Sequence, residues 1–150
     1  GLAIIKKIWE NNSIRIIFMS ETGLKYFDFE FFKNGSTVVH YVMDAMNRKG
    51  LIRTLTTDLG LLLMTEINNK DLTYYLPEKS QGLIIKEKQK GRNYYEFDES
   101  NKPPVNIYRR GCLSPASEIK INYTPEFIPS NIIFTHGVIN LKMELKLITE

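Results

Sequence analysis

Apolar and polar residues alternate with period two at both ends of the chain, and the period changes in between. Residues 3–9 and 13–19 read as strands about a turn at Asn11-Asn12, and Ser20-Glu21-Thr22-Gly23 separates them from a third strand over 24–32. In that strand Phe27, Phe29 and Phe31 share one face, while Tyr26, Asp28, Glu30 and Phe32 share the other. The second strand sets Ile14, Ile16 and Phe18 against Arg15, Ile17 and Met19. Both of its faces are substantially apolar, so both sides of this sheet are expected to be covered.

After Asn34-Gly35 the spacing becomes helical. Val38, Val42, Ala45 and Met46 recur on one stripe, Ser36 or Thr37 offers a cap, and Arg48-Lys49-Gly50 supplies a stop, which predicts a helix ending near residue 47. A second stripe of Ile52, Leu55, Leu59, Leu62 and Leu63 predicts a second helix, with Gly60 inside it at a cost of about 1 kcal/mol relative to Ala. Period two returns from residue 71. Strands are expected over 72–76, 82–89, 92–98, 105–110, 118–123 and 139–147. A two-residue hairpin at Lys90-Gly91 would set Lys86 opposite Tyr95 and Ile84 opposite Phe97.

These elements predict an α+β fold in a single domain over 1–150. Residues 2–33 and 71–148 would form one strongly curved antiparallel sheet, an unclosed β-barrel, because most gaps are too short for crossover helices and a long sheet must curl. The helical pair over 36–64, inserted after the third strand, would pack on the inner or open side of that sheet.

Composition narrows the function classes. The chain has 150 residues, 43% hydrophobic and 25% charged, which excludes wholesale disorder. Twenty basic against seventeen acidic side chains give +3, spread over both halves, so neither half is a nucleic-acid-binding tail or a polyacidic arm. No apolar run approaches the roughly eighteen residues of a membrane span. The chain opens Gly1-Leu2-Ala3 without Met, which predicts processing, with a removed export segment as one form of it. Two histidines and one cysteine leave little material for a metal cage, and no cofactor is expected.

Candidate catalytic groups are sparse. Cys112, in Arg110-Gly111-Cys112-Leu113, and His136, in a predicted turn before the last strand, would make a nucleophile–base pair if brought together. No nucleophile elbow, phosphate loop or dinucleotide fingerprint accompanies them, so the reading is a small buried thiol and a turn histidine. His40, on the first predicted helix, is expected to pack or face solvent. Asp28 and Glu30 share a strand face about 6–7 Å apart, a spacing glycosidase carboxylates use, but alternation with three Phe residues explains them without catalysis. Lys86, Lys88, Lys90 and Arg92 precede Tyr94, Tyr95 and Phe97. Glu96, Asp98 and Glu99 follow on the same arm, so a solvated hairpin tip is preferred and no nucleic-acid partner is expected.

The block from Ile14 to Phe31, then Asn34-Gly35 and helices, together with Pro129-Ser130-Asn131-Ile132-Ile133-Phe134-Thr135-His136-Gly137-Val138 through Leu147, resembles small Bacteroidetes lipoproteins. Their plan is similar to the lipoprotein-localisation factors: an unclosed, curved antiparallel barrel partly plugged by helices. The resemblance implies an exported cell-envelope protein on the periplasmic side or anchored at the outer membrane. It also implies peripheral membrane association through a lipid anchor and a lipid or acylated protein as partner.

A ligand cavity and a solid core demand the same patterning, so two classes stay open. The first is a non-catalytic binding or carrier protein for an apolar ligand. Its site would lie between the helices and one face of the early strands, lined by Ile17 and Met19 or by Phe27, Phe29 and Phe31, and closed by Val42, Met46, Leu55, Leu59 and Leu62. Each buried methylene of such a ligand would contribute about 0.8 kcal/mol before ordering costs. The second class is a structural or protein-interaction lipoprotein without a small-molecule site.

Overall fold

A computed structural model of the chain describes residues 1–65, 72–75, 81–87, 91–98, 102–110, 115–137 and 141–148. The chain divides into two compact units, Gly1–Glu66 and Ile67–Glu150. The first holds a four-stranded antiparallel meander of β1 (Leu2–Ile8), β2 (Ser13–Met19), β3 (Lys25–Phe32) and β4 (Thr37–Val42), followed by a short 3-10 turn at Asp44–Met46 and one helix, α1 (Lys49–Leu62). The second holds a seven-stranded antiparallel meander in chain order: β5 (Leu72–Tyr75), β6 (Gln81–Glu87), β7 (Gly91–Phe97), β8 (Asn106–Arg110), β9 (Pro115–Tyr123), β10 (Pro129–His136) and β11 (Leu141–Lys146).

The expected unclosed β-barrel is therefore corrected to two separate open sheets. The chain leaves the first sheet through the 3-10 turn and α1, and β5 then pairs with β6 rather than with β4. The β-barrel plan carried by the lipoprotein resemblance is not the architecture observed. The lipoprotein, periplasmic and outer-membrane expectations came from the same resemblance, and no observation of the structure supports them. No helix among the described residues is long and apolar enough to cross a membrane.

The expected helical pair is corrected to a single α-helix among the described residues. Residues 37–42 form a strand because Thr37, Val38, Val39, Tyr41 and Val42 are β-branched or aromatic and lose side-chain freedom in a helix. The preceding turn commits them. Gly35 donates to the Phe32 carbonyl at 3.0 Å, Phe32 donates to the Ser36 carbonyl at 3.0 Å, and Gly35 takes φ +82°, a three-residue hairpin loop that sends the chain back along β3. Ser36 caps no helix; its amide and hydroxyl bond back to Asn34 Oδ1 at 2.9 and 2.7 Å. Arg48-Lys49-Gly50, expected as a stop, opens α1 instead. The helix ends in a Schellman motif, with Thr65 donating to Gly60 and Met64, at φ +55°, donating to Leu61.

Two further expectations shift. In the β6–β7 hairpin Lys86 pairs with Arg92 and Ile84 with Tyr94, so the predicted register is displaced by three residues. His136 is not in a turn but closes strand β10, paired with Ser117 and Leu141. The core of the second unit lies on one face of its sheet, where Tyr95, Ile107, Ile119, Ile121, Ile132 and Phe134 are buried. Alternation along β11 is as expected, but Met143 and Leu145 are only half-buried because β11 is an edge.

Candidate functional site

The expected lining residues of the first unit divide between the two sheet faces. Phe27, Phe29 and Phe31 are all buried on one face, and Phe29 is wholly inaccessible. Their rings fill space with one another: Phe27 stacks on Phe29 at 4.6 Å, and Phe31 meets Phe29 edge-on at 6.4 Å. Leu55 and Leu59 of α1 are buried, and α1 reaches this layer at Gly60, whose Cβ position lies 3.9 Å from the Phe31 ring. Val42 pairs with Phe27 and is half-buried; Met46 and Leu62 are half-buried at the ends of their elements. Ile17 does not join this group. It pairs with Asp28, so its side chain stands on the opposite face, and Met19 pairs with Lys25 beyond a bulge.

That opposite face carries Asp28 and Glu30, both buried and both fully engaged. Arg15 grips Asp28 with Nε to Oδ1 at 2.7 Å and Nη2 to Oδ2 at 2.9 Å, and Lys25 Nζ adds a third contact at 2.8 Å. The Arg15 guanidinium lowers Asp28 to about 2 against the upward push of burial, with Lys25 assisting. Glu30 accepts from the Ser13 hydroxyl, from His40 Nε2 at 2.7 Å and from Asn11 Nδ2 at 2.8 Å, and these bonds lower it to about 2. A carboxylate only accepts, so Nε2 is the nitrogen that bears the proton. His40 reaches Glu30 because it is the extra residue of a bulge between the Asp28–Tyr41 and Phe29–Val39 pairs, not because of any helix. Two carboxylates held ionised and saturated make a brace across β2, β3 and β4 rather than an acid–base pair.

In the second unit, the Ser117 hydroxyl meets His136, with Oγ 2.9 Å from Nδ1. Cys112, Lys88 and Lys90 lie outside the described residues. On the other face of this sheet Tyr94 stacks on Tyr108 at 4.7 Å and 8°, with Arg110 over both rings at 5.5 and 5.2 Å. The Tyr108 hydroxyl donates to Glu96 at 3.0 Å; burial, and then that bond, push Tyr108 up to about 12. Of the aromatics Tyr94, Tyr95 and Phe97 that follow the basic run, Tyr94 is thus engaged by Tyr108 and Arg110, and Tyr95 is buried on the core face.

A cleft of about 740 Å³ opens at one end of the same sheet, within the size range of small-molecule sites. Its walls include Asp98 after β7, Lys102 and Pro103 ahead of β8, Lys120 to Tyr123 on β9, and Thr124, Pro125 and Phe127 of the β9–β10 turn. Pro103-Pro104 lack amide donors and interrupt the ladder, and the freed Pro104 carbonyl accepts the Tyr123 hydroxyl at 2.8 Å. Burial pushes the Tyr123 phenol up, so it stays neutral and serves as an anchor between the walls. Val105 and Ile121 supply apolar floor, and Asn106 and Asn122 supply amides.

The turn that forms one wall repeats a design seen twice in the first unit. Ser20 with Leu24 and Gly23, Phe32 with Ser36 and Gly35, and Thr124 with Ile128 and Phe127 make the same two backbone bonds, between 2.8 and 3.0 Å. The left-handed position is Gly23 at φ +85°, Gly35 at φ +82°, and Phe127 at φ +60°. Glycine takes that conformation freely, whereas a bulky side chain there costs about 1–3 kcal/mol. Phe127 does not recover the cost by burial, being 50% exposed; its ring lies 5.9 Å from Lys102 Nζ at the mouth of the cleft. No expectation from sequence pointed to Phe127; the signal available was Thr124-Pro125-Glu126-Phe127, a turn sequence with an aromatic where its sister turns carry Gly. Compared with protein-family models, curated proteins and solved structures, the chain matches none.

Proposed function

We propose that this chain is a non-catalytic binding protein and that the cleft of its second unit holds a small ligand with an apolar body. The observation that carries this reading is Phe127: a large aromatic held in a left-handed turn, half-exposed, at the rim of a cleft of suitable size. Residues kept in sparsely populated backbone conformations concentrate at ligand clamps, where the contact they make offsets the strain. The reading keeps the expectation of an apolar ligand and moves its site away from the Phe27–Phe29–Phe31 layer, where the rings occupy the space themselves.

The test is fluorescence titration with the neutral probe N-phenyl-1-naphthylamine, repeated on Phe127→Ala with its fold checked by circular dichroism. Saturable one-to-one binding that weakens in the well-folded variant supports the reading. Absence of saturable binding, or binding indifferent to Phe127→Ala, overturns it.

A second reading, a protein-interaction module without a small-molecule site, draws on the first unit. Ile4, Ile5, Val38, Val39 and Tyr41 lie on its two edge strands and are 42–49% exposed. Both edges are also blunted, β1 by Lys6 and Lys7 and β4 by the His40 bulge, which disfavours strand addition. Failure of the probe titration would leave this as the better reading.

A further inference from the structure

Resting on the cleft reading above, we infer that the ligand is an aromatic monoanion, its flat body against Phe127 and its charge between Lys102 and Lys120. Two of the residues that line the cleft are lysines from different segments, Lys102 ahead of β8 and Lys120 on β9. Asp98 is the lone carboxylate among the described lining residues and is exposed to solvent at the end of β7. Glu96, on the same strand, is not among the described lining residues, and its carboxylate already accepts from Asn106 Nδ2 and the Tyr108 hydroxyl at 3.0 Å.

Lys120 meets Glu118 at 3.4 Å with both side chains well exposed, a surface contact a bound anion displaces at little cost. The charge balance of the described lining residues is therefore positive, in a concavity whose walls focus the field on an entering anion. The apolar complement is flat: the Phe127 ring together with Pro103 and Pro125. Lys102 Nζ, 5.9 Å from the Phe127 centroid, places positive charge next to the surface on which an aromatic body stacks. A compact ammonium acts as a point charge, so the lysines call for an anionic group without demanding the bidentate geometry an arginine would impose.

Calorimetric titration of the full chain with 2-naphthoate and with neutral 2-naphthamide separates charge from shape. The expected result is naphthoate binding tighter by about tenfold, the worth of one charge-assisted hydrogen bond, with the preference lost in Lys102→Gln and Lys120→Gln, retained in Lys102→Arg, and eroded by added salt. Equal affinity for the two probes, unchanged in the Gln variants, overturns the anion inference and leaves the cleft reading standing. Failure of both naphthyl probes to bind, alongside failure of N-phenyl-1-naphthylamine, overturns both.

Discussion

Arg15 holds Asp28 by two hydrogen bonds of 2.7 and 2.9 Å across neighbouring strands, and only the carboxylate is buried: Asp28 is 1% exposed while the Arg15 side chain is 35% exposed. The asymmetry decides which half of the pair matters more. Losing Arg15 leaves the buried carboxylate with Lys25 as the one cation still bound to it, whereas losing the carboxylate leaves two cations that water can solvate. Arg15→Gln is therefore expected to destabilise the first unit by about 1–3 kcal/mol, and Arg15→Gln with Asp28→Asn by less than the sum of the two single changes. Chemical denaturation of the four-member cycle measures both.

Acid should weaken the same unit. Asp28 and Glu30 both sit near 2 in the folded protein, below ordinary values of 3.8 and 4.5. Because the folded values are depressed, the unfolded chain binds protons first as pH falls. The stabilisation is complete above the ordinary values and is lost between them and about 2. Thermal midpoints should be flat near neutrality and fall steeply below about pH 4.5. Glu30→Gln should make that fall shallower; an unchanged slope would refute Glu30 as one of its sources.

Phe127→Gly is expected to stabilise the second unit by about 1 kcal/mol, because glycine accepts the left-handed turn that Phe127 occupies under strain. The same change should weaken binding of the naphthyl probes, since it removes the exposed ring. Gain of stability with loss of binding is the signature of a residue retained for contact rather than folding. A destabilised variant would show that the ring contributes packing that outweighs its strain.

Gly60→Ala should stabilise α1 by up to about 1 kcal/mol through helix propensity. A methyl at that position meets Thr65 Oγ1 at 3.4 Å and the Phe31 ring at 3.9 Å, so it fits at close to ordinary contact distances. Gly60→Val should do the opposite by forcing extra methyls toward Phe31. Denaturant midpoints of the two variants moving in the same direction would contradict this account of the helix–sheet approach.

Period-two alternation made β2, β3, β9 and β11 legible from residues alone, and with them the shared face of Phe27, Phe29 and Phe31 and that of Ile119 and Ile121; that the Phe face is the buried one came from the structure. The stripe Leu55–Leu59 likewise revealed α1. These are local facts of stereochemistry: a side chain's face follows from its neighbours two or four residues away. Spacing was ambiguous at Val38 and Val42, four apart and therefore on one face of either a helix or a strand. The hairpin at Gly35 resolved it by bringing β4 alongside β3. The remaining features depend on which segments meet. Division into two sheets, the extra residue that swings His40 onto Glu30, the three-residue displacement of the β6–β7 register, and the cleft between Lys102 and Phe127 all arise from pairings across the chain. Alternation specifies what each strand buries. Only the tertiary structure decides which partner it pairs with, because backbone hydrogen bonds are alike at every position and the choice among them rests on turns, bulges and packing acting together.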